Sequence, residues 1–185
     1  MNKKSIIFGI IAALLFSIIM WQWISQSELK KSNSDLSIYN YQLRFLLGIG
    51  DLNSVHQHAD IKVYLNGKSI DFSQKKYQLT TNYIHFEDGI GDVMHIHASG
   101  ITVGHMLRGV GMAFTNECLK INEENYCNDD KNSLKFYVNG KPNILFDNYA
   151  VQDLDKLLVS YGPKTQDTSE QLASVTDLAR VYSKK

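Results

Sequence analysis

Histidines at alternating positions are the residues of this 185-residue chain with the clearest capacity for chemistry. All six histidines fall between residues 56 and 105, and they include two His-x-His pairs, His56/His58 and His95/His97. In a β-strand, residues i and i+2 point to the same face, so each pair can present two imidazoles to one ion. His85 lies on a third strand-like segment between the pairs. Imidazole sets of this kind suit Zn²⁺, Cu²⁺, Fe²⁺ or Ni²⁺.

Two carboxylates continue the same alternation, Asp60 after His58 and Glu87 after His85. If three strands pair with these faces together, the imidazoles and carboxylates converge. We therefore predict a transition-metal site, with copper favoured because it heads the divalent affinity order and with zinc next. The predicted ligands are His56, His58, His95 and His97 at the centre, with His85 as the additional ligand. Asp60 and Glu87 are expected to orient the imidazoles as hydrogen-bond acceptors, or to ligate directly.

Two alternatives need no metal. The histidines would form a satisfied polar cluster, or they would be scattered over the surface. The sixth histidine, His105, falls in a predicted helix together with Met106 and Met112. For those methionines a place in the helical core is favoured over soft ligation of copper.

The elements that position these residues are mainly strands. Period-two patterns predict strands over residues 56–65, 69–72, 77–79, 83–87, 92–98, 134–138 and 157–161. Asn66-Gly67 and Asn139-Gly140 are typical of tight hairpin turns. Thr102 is placed to cap a helix that extends to residue 114. The expected fold class is mainly β (α+β): a small antiparallel β-sandwich or barrel-like domain with one short helix, preceded by a transmembrane helix.

An uncharged, apolar run over residues 5–25 predicts that transmembrane helix, because about 20 apolar residues span the hydrocarbon core. Trp21 and Trp23 follow at the end, where indoles favour the headgroup region. The segment after the run is a poor cleavage site, which favours an uncleaved anchor over a cleaved signal peptide. The expected organisation is an anchor over residues 1–25, a juxtamembrane stalk with a short helix over 26–50, a β-rich domain over 51–162 and a polar tail over 163–185.

The flanking charges bear on the orientation of the anchor. Lys3 and Lys4 favour a cytoplasmic N-terminus, whereas Lys30 and Lys31 weigh against it. We expect a single-pass protein of the plasma membrane whose domain faces the extracytoplasmic side. The membrane itself, and a membrane-protein complex to which this protein would be an accessory subunit, are the expected partners.

Cys118 and Cys127 lie nine residues apart in a polar segment, and such a pair predicts a disulfide in an exported chain. The alternative is two free buried thiols. A redox-active pair usually has Cys-x-x-Cys spacing, which is absent from this sequence.

Charge excludes one class of partner. Of 19 basic and 19 acidic residues, four lysines and one glutamate precede residue 32, so the remainder is slightly acidic. A nucleic-acid-binding surface requires a clustered basic face. We therefore expect no nucleic-acid partner.

The chain resembles a group of small exported archaeal and bacterial proteins with a His-x-His-Ala opening. The shared features run over residues 56–162: His56-Gln57-His58-Ala59, Asn66-Gly67-Lys68, Ile84-His85-Phe86, His95-Ile96-His97, Ile101-Thr102-Val103-Gly104 and Val138-Asn139-Gly140-Lys141. The sequence departs from the pattern at Asp60, where a third alternating histidine often occurs. The resemblance implies a compact, exported, β-rich domain and supplies no activity.

Three functions fit these observations. The first is a membrane-anchored metal-binding protein, the second an enzyme that uses the metal, and the third a structural or interaction module of the cell envelope without metal. A catalytic site would need an open coordination position with an acid or base nearby. Sequence alone does not decide whether the protein is an enzyme.

Overall fold

A single helix forms the N-terminal part of the chain in the computed structural model, which describes residues 2–183. This helix, α1 (Lys3–Leu47), is one of two compact units; the other begins at Gly48. An 18-residue window of α1 has a mean hydropathy of 2.2. None of its residues is buried. The helix is therefore long and apolar enough to cross a membrane.

The predicted stalk with a separate short helix is wrong in its local structure, because α1 continues without a break through residues 26–47. Glycine and proline are absent between Gly9 and Gly48, so nothing in that stretch interrupts helical hydrogen bonding. The helix ends where Gly48 adopts a positive φ of 66°. At 1.5 Å per residue its 45 residues extend about 67 Å, roughly twice the hydrocarbon thickness of a bilayer.

The second unit combines strands and short helices. Its strands are β1 (Gln57–Leu65), β2 (Lys68–Ser69), β3 (Ile84–His85), β4 (Val93–Ile96), β5 (Met112–Phe114), β6 (Cys118–Ile121), β7 (Glu124–Cys127), β8 (Asn132–Val138), β9 (Lys141–Pro142) and β10 (Lys156–Pro163). Its α-helices are α2 (Val103–Gly109), α3 (Ser169–Ser174) and α4 (Ala179–Tyr182). Short 3₁₀ turns lie at Lys75–Tyr77 and Phe146–Asn148.

The central sheet has the order β3-β4-β1-β10-β8-β9, with β2 paired to β1. The β1–β10 pair is parallel and the other pairs are antiparallel. The predicted antiparallel sandwich or barrel is therefore not found in the described chain; the sheet is mixed and open. Strand β10, from late in the sequence, pairs with β1. Local hairpin patterns do not predict this pairing. The prediction of a strand-rich domain that follows an apolar helix in the sequence is confirmed.

One face of the sheet carries the hydrophobic core. Ile61, Met94 and Ile96 on this face are each at most 1% exposed. Helix α2 and the 3₁₀ turn at Phe146–Asn148 pack together on this side, and the core includes Met106 and Leu107 from α2. Alternation along β1 and β4 places the polar residues of these strands on the opposite face.

The C-terminal segment covers part of that opposite face. Tyr64 on β1 pairs with Ser174 of α3 through hydroxyls 2.8 Å apart, and Tyr137 on β8 accepts a hydrogen bond from Thr168. Ala179 at the start of α4 is 1% exposed. The segment predicted as a polar tail therefore packs on the sheet, and it contains the two short helices α3 and α4.

Helix α2 is shorter than the sequence predicts. Thr102 caps it as predicted, by accepting a hydrogen bond from the backbone N–H of His105. The helix ends at Gly109, and Gly111 at a φ of 84° leads the chain into β5. Residues 112–114, predicted to be helical, are therefore a strand.

The two cysteines lie opposite each other on β6 and β7. Their Sγ atoms are 2.08 Å apart, at disulfide-bonding distance. The polar segment that contains them is thus a hairpin, with Asn122 at a φ of 54° in its turn. The predicted cysteine pairing is confirmed at this distance.

Candidate metal centre

Strand register brings the two His-x-His pairs together. Strand β4 lies between β1 and β3, with His58 opposite His95 and His95 opposite His85. These three imidazoles therefore form a row across three strands, on the face opposite the hydrophobic core. His56 immediately precedes β1 and His97 immediately follows β4, so each lies two residues from its partner histidine and on the same face.

The five rings form a closed circuit. Successive ring centroids lie 4.7 Å apart for His58 and His95, 6.0 Å for His95 and His85, and 5.0 Å for His85 and His97. The circuit closes through His56, whose ring lies 5.1 Å from that of His97 and 4.8 Å from that of His58. All five predicted histidines are thus brought together.

Within this circuit, three imidazoles have the spacing of a ligand set. One nitrogen from each of His56, His58 and His95 lies within 4.8 Å of the other two. His58 and His95 are buried, at 4% and 3% exposure, whereas His56 is exposed. A pocket of about 280 Å³ opens beside the three rings and is also lined by Glu87, Asp88, Tyr182 and Ser183. An ion could enter from the side of His56.

His95 has the buried nitrogen that most favours a bound cation. Its Nδ1 is buried and has no hydrogen-bond partner among residues 2–183. Glu87 Oε1 lies 3.1 Å from this nitrogen, but the contact lacks the alignment of a hydrogen bond. Leaving a buried polar atom unsatisfied costs about 1–3 kcal/mol. A cation at this position would remove that cost, so the donor set fits a metal.

His58 is oriented by the C-terminal segment. Its Nδ1 lies 3.2 Å from Ser183 Oγ. That hydroxyl can donate its own proton to the carbonyl of Ala179 or to Asp153, both of which only accept. When Ser183 donates to one of these oxygens, it can accept from Nδ1–H of His58, and the lone pair of Nε2 is then available to an ion.

Asp60 has a different position from the predicted one. The residue lies on the histidine face and is 1% exposed. Its carboxylate accepts hydrogen bonds from the hydroxyl of Thr176 and from the backbone N–H groups of Leu178 and Ala179. These bonds hold the segment that precedes Tyr182 and Ser183. Asp60 thus acts on the imidazoles indirectly, by fixing the segment that covers them.

Glu87 contacts two imidazoles, as predicted for an orienting carboxylate. Oε1 is the oxygen near His95, and Oε2 lies 3.4 Å from Nε2 of His85. The other nitrogen of His85, Nδ1, lies 2.8 Å from the carbonyl oxygen of Thr81. Because a carbonyl only accepts, Nδ1 of His85 carries a proton.

Burial lowers the pKa of three imidazoles of the cluster. Desolvation, with smaller contributions from neighbouring groups, lowers the pKa of His95 to about 4. Burial also lowers the pKa of His58 and of His97, and in each case nearby histidines lower it further. These three imidazoles are therefore neutral near pH 7, and neutral imidazole is the form that binds metal.

The sixth histidine has a structural position. His105 Nδ1 accepts a hydrogen bond from the backbone N–H of Thr102 and so completes the cap of α2. Met106 and Met112 are buried in the apolar core, at 0% and 2% exposure. The prediction that both methionines pack in a helical core is therefore right for Met106, whereas Met112 is in the core but on strand β5.

Sequence reasoning did not find Thr81, Tyr182 and Ser183. The Tyr182 ring centroid lies 5.3 Å from that of His95 and 5.8 Å from that of His58. Tyr182 and Ser183 are distant in sequence from the histidines that they contact, and Thr81 lies in no distinctive sequence pattern. The sequence therefore does not indicate a role for any of the three.

Comparison with known proteins assigns the chain to no family. No protein-family model matches the chain, and no curated protein or solved structure shows significant similarity to it.

Proposed function

We propose that this protein is a membrane-anchored, extracytoplasmic protein that binds a transition-metal ion through His56, His58 and His95. The observation that carries the proposal is the ligand-like spacing of the three imidazoles, within 4.8 Å of one another. Two of them are buried and neutral, and His95 has an unsatisfied nitrogen. These features support a site that an ion completes.

Copper is the metal we favour and zinc the closest competitor. Three imidazoles with no thiolate suit both ions, and copper heads the divalent affinity series. Exposure of His56 supports exchange of the ion with a partner, as an accessory or delivery subunit of a membrane complex requires.

Two features support the extracytoplasmic location. Helix α1 is compatible with membrane anchoring. A cysteine pair at disulfide-bonding distance suits an oxidising compartment, because cytosolic thiols are kept reduced. We retain as part of the proposal the relationship to the small exported His-x-His-Ala proteins that the sequence resembles.

A metal-dependent enzyme is the second candidate, favoured by one observation. Glu87, a possible proton acceptor, lines the same pocket as the three imidazoles. A bound ion with an exchangeable position on the pocket side would then activate water. Adding azide or imidazole to the copper-loaded protein tests this: a shift of the copper absorption band reports an open position, and an unchanged band favours binding alone.

The test of the primary proposal uses the full-length protein in detergent micelles, with an affinity tag that contains no histidine. Copper and zinc affinities are measured by competition with a chromophoric chelator, in the wild type and in His58→Gln. We expect His58→Gln to weaken binding by more than about 100-fold, beyond the usual effect of removing an outer partner of a ligand.

His105→Gln is the matched control. It removes one histidine of six, and glutamine at this position can still complete the helix cap. Its metal affinity should equal that of the wild type. If the wild type binds neither metal at micromolar concentration, or if His58→Gln binds as tightly as His105→Gln, the protein is better described as a structural module of the envelope.

A further inference from the structure

Helix α1 continues well beyond the length that a bilayer covers. With residues 5–25 in the hydrocarbon core, residues 26–47 form about six further turns on the aqueous side. None of these residues is buried, and large apolar side chains such as Leu36, Leu43 and Leu46 are exposed. A helix in water gains most of its stability by packing an apolar face against a partner. A partner for this stretch is therefore expected.

The apolar residues of the stretch follow a seven-residue repeat. Its a and d positions, which meet between the helices of a coiled coil and which we call the seam, are Leu29, Ser32, Leu36, Tyr39, Leu43 and Leu46. Five of these six residues are apolar, whereas only four of the other sixteen residues between 26 and 47 are. All five charged residues of the stretch lie outside the seam. This distribution is typical of a coiled coil.

Polar residues beside the seam fit a parallel pair of identical helices. In a parallel pair, a g residue of one helix faces the e residue five positions later on the other. Glu28 then faces Asn33, and Asp35 faces Asn40, so each carboxylate can accept a hydrogen bond from a carboxamide. Within α1, Oδ1 of Asn40 accepts from Nε of Arg44 at 2.9 Å, which leaves the amide nitrogen of Asn40 to donate. In an antiparallel pair the g residues face each other, and their carboxylates repel.

Anchoring in one membrane aligns two copies of this helix. Copies of a single-pass protein share one orientation, so their helices are parallel and identical residues lie at the same depth. Confinement to the membrane also raises the effective concentration of a second copy. A different protein would have to supply both the repeat and the complementary flanking residues, whereas a second copy of this chain carries both.

We propose that residues 26–47 of α1 pair with the same residues of a second copy of this chain as a parallel, two-stranded coiled coil. The protein is then a homodimer that carries two histidine clusters. The proposal rests on the membrane anchor of the proposed function and is independent of the metal.

Serine-to-cysteine substitutions give a matched test, because the two side chains are similar in size and α1 has serines on and off the repeat. Ser32 lies in the seam, and Ser25 is the d position of the preceding repeat. Ser27, Ser34 and Ser37 lie outside positions a and d. With helix axes about 8–10 Å apart, facing Cα atoms are roughly 4–6 Å apart and outer ones more than about 10 Å. A disulfide requires Cα atoms within about 7 Å of each other.

Each variant of the full-length protein is oxidised with diamide in the membranes of the cells that produce it, and the dimer fraction is measured on non-reducing gels. The wild type is the background, since its two cysteines are at disulfide-bonding distance from each other. We expect Ser25→Cys and Ser32→Cys to cross-link several-fold more than the three other variants. Equal cross-linking at all five positions, or none at any, would overturn the dimer. So would preferential cross-linking of Ser34→Cys, which lies beside Ile38 and Tyr41 on the opposite side of the helix.

Charges introduced into the seam give a second measurement. In the Ser32→Cys background, Leu36→Asp/Leu43→Asp places carboxylates opposite their copies in the second helix, so cross-linking should fall to the wild-type background. The matched control is Ser34→Asp/Tyr41→Asp, which adds the same charge at outer positions and should leave cross-linking unchanged. Equal cross-linking in the two double variants would overturn the seam.

Alkaline carbonate extraction of the same membranes tests the anchor separately. Release of the wild-type protein would overturn the membrane anchor of the proposed function. Protein that stays in the membrane without the seam-specific cross-link would overturn the dimer and leave that function intact.

Discussion

Ile96 and His95 are neighbours on β4 and point to opposite faces of the sheet. They are buried to almost the same degree, at 1% and 3% exposure, but among different neighbours. Ile96 lies in a continuous apolar core with Ile84 and Met94. Burying such a side chain stabilises the fold by about 1.5–3 kcal/mol.

On the opposite face, the free-energy cost of burying polar side chains has to be offset by polar contacts. His58 has Ser183, and Asp60 has three donors from the C-terminal segment. His95 has no hydrogen bond for Nδ1 within the described residues. The comparison indicates that the apolar face is complete without a ligand, whereas the histidine face would gain stability if a cation joined it. Substitutions on one face at a time test this difference.

The largest loss of stability is expected on the apolar face. Ile96→Ala should lower the free energy of unfolding by about 2–5 kcal/mol, because it leaves a cavity in a packed core. The additional stability conferred by the metal should be unchanged, since the imidazoles remain. Thermal melts with and without metal measure both quantities. If Ile96→Ala also removed the metal-dependent increase, the two faces would not be independent.

Asp60→Asn should have the next largest effect. The amide loses the charge of a buried carboxylate that accepts three hydrogen bonds, and a bond to a charged group is worth about 1.5–3 kcal/mol. The segment carrying Ser183 would then be held less firmly, so metal affinity should fall by about 10–100-fold, as for other outer partners of ligands. The control is Asp167→Asn, an exposed carboxylate whose hydrogen bonds go to Ser169. Equal effects of the two variants would contradict the assignment.

Acid should destabilise the metal-free protein through the histidine face. The unfolded chain protonates its histidines below about pH 6.5. Folded His95 takes up its proton only near its pKa of about 4, and burial lowers the pKa of His58 and His97 as well. Since the unfolded state binds more protons over this range, stability is complete above pH 6.5 and is lost as the pH falls toward 4.

The expected loss from His95 is of the order of 2–3 kcal/mol, at about 1.4 kcal/mol per pKa unit. Denaturant unfolding of metal-free protein at a series of pH values measures it, with His95→Leu as the comparison. His95→Leu should show a weaker dependence on pH. Identical pH profiles for the two proteins would show that His95 does not carry the effect.

The smallest expected change is the stability of metal-free His95→Leu at pH 7. Leucine needs no hydrogen bond in this buried position, and this offsets the loss of the polar contacts of His95. The free energy of unfolding should therefore change by less than about 1 kcal/mol. The stabilisation by added metal should disappear. A loss as large as that of Ile96→Ala would mean that His95 already stabilises the fold without an ion.

The sequence predicted the composition of the histidine cluster, but only part of its surroundings. Alternation is a local property, so it placed His56 with His58 and His95 with His97 on shared faces. Register is not local: the pairing of His58 with His95 depends on the chain between β1 and β4, which includes β2 and β3. For the same reason the sequence did not predict the parallel pairing of β10 with β1, which joins segments about 100 residues apart.

Asp60 illustrates a second limit. Its alternation with His58 suggested a role beside the imidazoles, but its actual donors are mostly backbone N–H groups, which every sequence contains. The helix over residues 26–47 illustrates a third limit. Polar residues suggested a stalk, whereas the lack of glycine and proline was the better guide to its structure.

The most direct test of the central claim is the metal content of the full-length protein, isolated from its own membrane without chelator and without a histidine tag. Plasma mass spectrometry of the wild type and His58→Gln, normalised to protein by amino-acid analysis, gives the ions per chain. We predict copper, or failing that zinc, at one or more ions per wild-type chain and a marked reduction in His58→Gln. Wild-type protein with no transition metal, which also takes up none when supplied, would contradict the claim.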